Sequence, residues 1–219
     1  MHYHLEVIMP PTDDIKGTLA QILEPFSEHQ DETDEDLEYM KRYAFWDWYE
    51  IGGRWAGDKM MAALDKDKLA AFNAALQEKK ITISGLIWGK EELSPASQIP
   101  MVDSLWNEFF PDSPTKVCPI FKHYQGSNGD VMELKDIAKR ATAARVIIAG
   151  LDYQQKMTAQ FMIEDSIYNG VNFVDSKWDG TIAQALEMFA KKNEHCKEEW
   201  FESHTPRPDW LVVTVDYHS

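Results

Sequence analysis

The chain of 219 residues carries 37 acidic against 22 basic side chains, a formal net charge of −15. A field of that sign repels phosphate backbones and anionic membrane surfaces, which disfavours nucleic-acid and membrane-surface binding, and it attracts basic protein surfaces. The length, with 44% hydrophobic residues, supports a sizeable core, so one domain over 1–219 is expected, with a candidate sub-division near 90–120.

In chain order, His2 to Met9 alternates and stops at Pro10-Pro11, which predicts a first strand. Thr12 is the expected cap of a following helix, with Asp13 and Asp14 favourably placed in its first turn. Ile15, Leu19, Ile22 and Phe26 recur at helical spacing, and Pro25 marks the helix end. Glu28 to Glu38 is an acidic run read as a solvated loop or helix start, and Leu37 to Tyr43 as a further helical stretch. Asp65 to Lys80 predicts an amphipathic helix with Leu69, Phe72 and Leu76 on its apolar side. Ile81 to Trp88 is β-rich. Glu91 to Pro119 carries five prolines and reads as an irregular connection with a short helix around Leu105 to Phe109.

Val131 to Ala144 reads as a helix. Arg145 to Ala149 is a short apolar strand with Thr158 to Glu164 as its antiparallel partner. Asn169-Gly170 and Asp179-Gly180 are turn signals. Thr181 to His204 is the longest helical pattern, with Ile182, Leu186, Phe189, Cys196 and Trp200 on its buried side and an interruption at Asn193. Trp210 to Tyr217 is a terminal strand. Hairpin-like returns among mixed elements predict an α+β fold, a mainly antiparallel sheet with packed helices. The first and last strands are candidates for neighbours.

The densest chemistry lies at Phe45 to Gly57, where five aromatics, three glycines, two carboxylates and one arginine share thirteen residues. If Phe45 to Ile51 is a strand, Trp46, Trp48 and Glu50 share one face, and Gly52-Gly53 permits a tight turn. One reading is a ligand site lined by Trp46, Asp47, Trp48, Glu50, Arg54 and Trp55, in which an aromatic stacks a planar, anionic or nucleotide-like ligand and Arg54 holds the anion. The other is a buried hairpin in which a carboxylate neutralises Arg54. The spacing is not that of a nucleotide-binding fingerprint.

The string Trp46-Asp47-Trp48-Tyr49-Glu50-Ile51-Gly52-Gly53-Arg54-Trp55 resembles a motif of bacteriophage and some bacterial proteins without established activity, roughly Tyr-Asp-Trp-Tyr-x-Ile-Gly-Gly-Arg-Trp. Those proteins often end in a strand like Val-Val-Asp-x-His. Here the end reads Val213-Thr214-Val215-Asp216-Tyr217-His218, and Phe45-Trp46 stands where tyrosine is the family pattern. The resemblance covers two short stretches; it implies a phage or mobile-element origin and assigns no chemistry.

His2 and His4 face the same way on the first strand, as do Asp216 and His218 on the last. If these strands pair, the four form a candidate set for zinc or another divalent ion, against the alternative that they meet by accident near fraying termini. No cofactor is otherwise expected. His195 and Cys196 lie roughly 100° apart on a helix and make no nucleophile–base pair; Cys196 reads as core and Cys118 as exposed. Both cysteines read as reduced thiols of a cytosolic protein. Glu164-Asp165 is the most site-like of many carboxylate pairs and reads as solvent-exposed. The chain starts without a basic segment followed by an apolar run, so no signal peptide is expected, and no apolar stretch approaches about 18 residues.

Two functions are therefore expected from different classes. One is a cytoplasmic, phage-type accessory protein, such as a counter-defence or host-modulating inhibitor. It would occlude a basic host protein with an acidic face including Asp31, Glu32, Asp34, Glu35, Asp36 and Glu38. The alternative is a small-molecule-binding protein or enzyme with its site around Trp46 to Trp55.

Overall fold

The computed structural model describes residues 1–29, 44–79, 95–112, 130–152, 154–164, 178–196 and 204–219. Several expectations fall outside them: the acidic run Asp31 to Glu38, the stretches Leu37 to Tyr43 and Ile81 to Trp88, Cys118, Asp165, the Asn169-Gly170 turn, and 197–203 of the last helical pattern.

The fold is α+β. A six-stranded sheet is built from β1 (His2–Met9), β2 (Trp48–Ile51), β3 (Val131–Glu133), β4 (Arg145–Leu151), β5 (Met157–Glu164) and β6 (Leu211–His218), in the order β2-β6-β1-β4-β5 with β3 also on β6. The pairs are antiparallel except β1 with β4. The first and last strands are neighbours over their full lengths, His2 facing His218 and Met9 facing Leu211. β4 and β5 form a hairpin in which Asp152 Oδ1 accepts the N–H groups of Gln154 and Lys156 at 2.7 and 2.8 Å.

Period-two alternation gives the sheet two faces. One carries Leu5, Val7, Met9, Ile147, Ala149, Val213, Val215 and Tyr217, packed with Leu19, Ile22 and Leu23 of α1 (Ile15–Leu23). The cap of α1 is Asp14 rather than Thr12: Asp14 accepts from the Gly17 N–H at 2.9 Å, while Thr12 Oγ1 accepts from the Asp14 N–H. A 3₁₀ turn, Glu24–Phe26, follows with Pro25 in its first turn, where a missing N–H costs nothing.

The other face carries Ile8, Val146, Ile148, Phe161, Ile163 and Val212, covered by Ile182, Ala185 and Phe189 of α5 (Ile182–Lys192). Thr181 caps α5 by accepting from the Gln184 N–H, and Asn193 ends it, so the helix is shorter than the apolar spacing suggested. Cys196 lies beyond it and is half-buried rather than core.

α2 (Asp58–Met61) follows β2, and α3 (Lys66–Glu78) and α4 (Pro95–Phe109) pack through their own cluster of Phe72, Leu76, Val102, Leu105, Trp106 and Phe110. Asp65 caps α3. α4 runs well beyond the short helix expected at Leu105 to Phe109 and holds Pro100 within it. The expected helix at Val131 to Ala144 is instead β3 and a 3₁₀ turn, Leu134–Asp136, because pairing of Val131 with Val213 and Glu133 with Leu211 overrides the helical spacing. No helix among the described residues is long and apolar enough to cross a membrane.

Candidate functional site: a polar end of the sheet under a glycine-rich flap

The face covered by α5 turns polar towards one end. On β1 the residues after Ile8 on that face, read backwards, are Glu6, His4 and His2. Directly opposite on β6 stand Thr214, Asp216 and His218. β2 adds Glu50 opposite Asp216 and Trp48 opposite His218. The two stretches that carry the family resemblance, far apart in sequence, are thus one ladder.

The chain then folds back over this end. β2 stops at Ile51, and Gly52 (φ 79°) and Gly53 (φ 50°) reverse it. A side chain is excluded at both: a Cβ on Gly52 would lie 2.5 Å from Asp130 Cγ, and one on Gly53 would lie 2.3 Å from Asp216 Cβ. The returning segment, a 3₁₀ turn at Gly53–Trp55, lays Trp55 flat on His4, with ring centres 5.0 Å apart and planes 7° from parallel. The Arg54 backbone N–H donates to Asp216 Oδ2 at 3.0 Å. Gly57 (φ 79°) then starts α2, which inserts Lys59.

Lys59 is fully buried. Its ammonium donates to Glu6 Oε2 at 2.8 Å, to the Asp130 carbonyl at 3.1 Å and to Thr214 Oγ1. Thr214 in turn donates to Glu6 Oε1 at 2.9 Å, and His4 Nε2 meets the same oxygen at 2.9 Å. Burial pushes the Glu6 carboxyl up, but the Lys59 ammonium and the His4 hydrogen bond outweigh it and hold the group below its usual range. A charge this deep survives only when paired and hydrogen-bonded, and Glu6 has both.

The four metal candidates do converge on this face, but their contacts divide them. His4 is bound to Glu6, His2 Nδ1 meets Asp216 Oδ1 at 2.9 Å, and His218 Nδ1 meets Asp47 Oδ1 at 2.9 Å. The His218 hydrogen bond is the main reason that the Asp47 carboxyl lies below its usual range. Among the described residues no three His, Cys, Asp or Glu side chains group as a metal site.

The six motif residues also divide. The strand begins at Trp48, not Phe45, so Trp46 does not share a face with Trp48 and Glu50. It bridges to Ser27, donates its Nε1–H to the Leu23 carbonyl at 2.9 Å and packs with the α1 core. Asp47 holds His218, and Trp55 covers His4. Trp48, Glu50 and Arg54 are exposed. The Arg54 side chain is therefore not the buried ion-pair partner of the hairpin reading; its backbone N–H anchors the flap on Asp216.

On the opposite face, the Arg145 guanidinium lies 3.6 Å from the Phe45 ring centre and pairs with Glu164. Glu164, expected in solvent, is largely covered because β5 pairs with β4 at that point. Burial pushes the neighbouring Tyr217 hydroxyl up to about 12.

The sequence reading missed Glu6, Lys59, Thr214 and Asp130. The available signal was Glu6 itself: a carboxylate within Leu5-Glu6-Val7-Ile8 is buried and demands a cation. No protein-family model, curated protein or solved structure matches the chain.

Proposed function

We propose that the chain is a phage-type accessory protein that acts by binding a basic host protein, as a counter-defence or host-modulating inhibitor would. The observation that carries this reading is Trp48. Its side chain is left 46% exposed on β2, at the edge of the sheet, with exposed Glu50 two residues further along the same face, in a chain of net charge −15. An open indole beside a carboxylate suits an arginine or lysine of a partner, which gains a cation–π contact and an ion pair together. The wider acidic field speeds the encounter. The buried cluster behind it, with Lys59 on Glu6 and the flap on Asp216, supports a framework that fixes this edge.

The test is parallel capture from host lysate by the wild-type chain, by Trp48→Ala, and by a variant with Asp31, Glu32, Asp34, Glu35, Asp36 and Glu38 converted to their amides. A stoichiometric basic partner is expected. Trp48→Ala should weaken it about tenfold, on the order of 1.4 kcal/mol, and the amide variant should flatten its salt dependence. A partner held equally by all three at every salt concentration would overturn the reading.

The second reading, a planar anionic or nucleotide-like ligand at the same edge, is favoured by the exposure of Arg54. On that reading Arg54→Ala abolishes ligand binding in a fluorescence titration while its unfolding midpoint stays at the wild-type value. A lowered midpoint would return Arg54 to a structural role.

A further inference from the structure

His2 and His218 face each other directly across the β1–β6 pair, their ring centres 5.5 Å apart and their planes 75° from parallel. Two imidazoles that share one tetrahedral ion, at ~2.0–2.1 Å from each nitrogen, hold their ring centres roughly 5 Å apart. The observed spacing fits that arrangement.

Each ring is also held by a carboxylate through its Nδ1. Asp216 takes the Nδ1–H of His2 at 2.9 Å, and Asp47 takes that of His218 at 2.9 Å. A carboxylate oxygen accepts, so each Nδ1 is the donor, and in the neutral imidazole the lone pair is then on Nε2. Metal-binding histidines show this pattern of one nitrogen to a carboxylate and the other to the ion. Asp216 is itself fixed, by the Arg54 N–H on its second oxygen. His4, by contrast, is turned to Glu6 and covered by Trp55. The His2 and His218 side chains remain 27% and 42% exposed, and the Trp48 ring stands edge-on to His2 at 5.9 Å.

We propose that His2 and His218 form a two-imidazole site for a first-row divalent ion of the zinc, nickel or copper class, with water in the remaining positions. Asp216 and Asp47 are its positioning residues. Imidazole nitrogens select these ions over magnesium and calcium, and the negative field of the chain concentrates cations. The site is independent of the docking reading, which needs no metal.

The test is calorimetric titration of the tag-free full chain with zinc and with nickel at pH 7.5. One ion per chain is expected. His2→Gln and His218→Gln should each weaken binding at least tenfold, and Asp216→Asn and Asp47→Asn by about 10–100-fold. His195→Gln, at an exposed position just beyond α5, should leave it unchanged. Because a variant of the ladder can misfold, the unmutated chain supplies a second readout: zinc should shift the imidazole NMR resonances of two of its seven histidines. Absence of saturable binding, binding that survives both histidine variants, or shifts at other histidines would overturn the proposal.

Discussion

Lys59→Met should destabilise the protein by about 3–5 kcal/mol, the cost of leaving a buried carboxylate without its cation, measured as a lowered urea midpoint at pH 7. The pH dependence should change sign as well. In the wild type the folded Glu6 carboxyl lies below its usual value, so its contribution is complete above the unfolded carboxylate value of roughly 4.3. It is lost as pH falls through the lower folded value. Without Lys59 the dominant influence on Glu6 is burial, which raises its folded value above the unfolded one. Stability should then decline as pH rises from about 4 towards neutrality. Adding Glu6→Gln to Lys59→Met should recover part of the loss, because the neutral amide no longer carries a charge out of water. A loss under about 1 kcal/mol with an unchanged pH profile would mean that Lys59 is not the compensating charge.

Gly53→Ala is the second large effect. At φ 50° a side chain costs about 1–2 kcal/mol on backbone grounds alone, and here the new Cβ would also sit 2.3 Å from Asp216 Cβ and 2.5 Å from its Oδ2. Asp216 cannot retreat without releasing the Arg54 N–H, His2 or both. The expected total is about 3 kcal/mol or more, by thermal or urea unfolding. Gly180→Ala is the control: its φ is 80°, but the nearest atom to a new Cβ, the Ala143 carbonyl oxygen, lies 3.9 Å away. It should show only the backbone cost. Equal losses at the two positions would remove the case for a tightly seated flap.

The sheet frame was legible wherever one face of a strand is consistently buried. Alternation in His2 to Met9 and Trp210 to Tyr217 identified both strands and suggested their pairing, and the Arg145 and Thr158 segments were read as the antiparallel pair they form. Legibility failed where tertiary pairing overrode local spacing. Val131, Leu134, Ile137 and Ala141 recur as on a helix, yet β6 recruits Val131 to Glu133 as a strand. The prolines of Glu91 to Pro119 obscured α4, because Pro100 is exposed within a helix anchored by Val102, Leu105 and Trp106.

At the polar end, the shared face of His2, His4, Asp216 and His218 was readable from period two alone. How they divide among Glu6, Asp47 and Asp216 was not, because it depends on Lys59 and the flap arriving from a segment with no strand or helix signal of its own. The motif was visible as dense chemistry. That its glycines seat a backbone against Asp130 and Asp216 could be learned only from the close approach itself.

The central position of β6 bears on how the chain is assembled during synthesis. β2 and β3 have β6 as their shared partner, and β1 takes it along its whole length, with Glu6 and Thr214 joined across 208 positions. β1, β4 and β5 can associate as soon as they are made. Among the described residues the other two strands pair with β6 alone, and that pairing waits until β6 follows them out of the ribosome. Pairings of such long range slow folding, and open edges invite association with other chains. The interval before β6 arrives is when those edges are most exposed to such association.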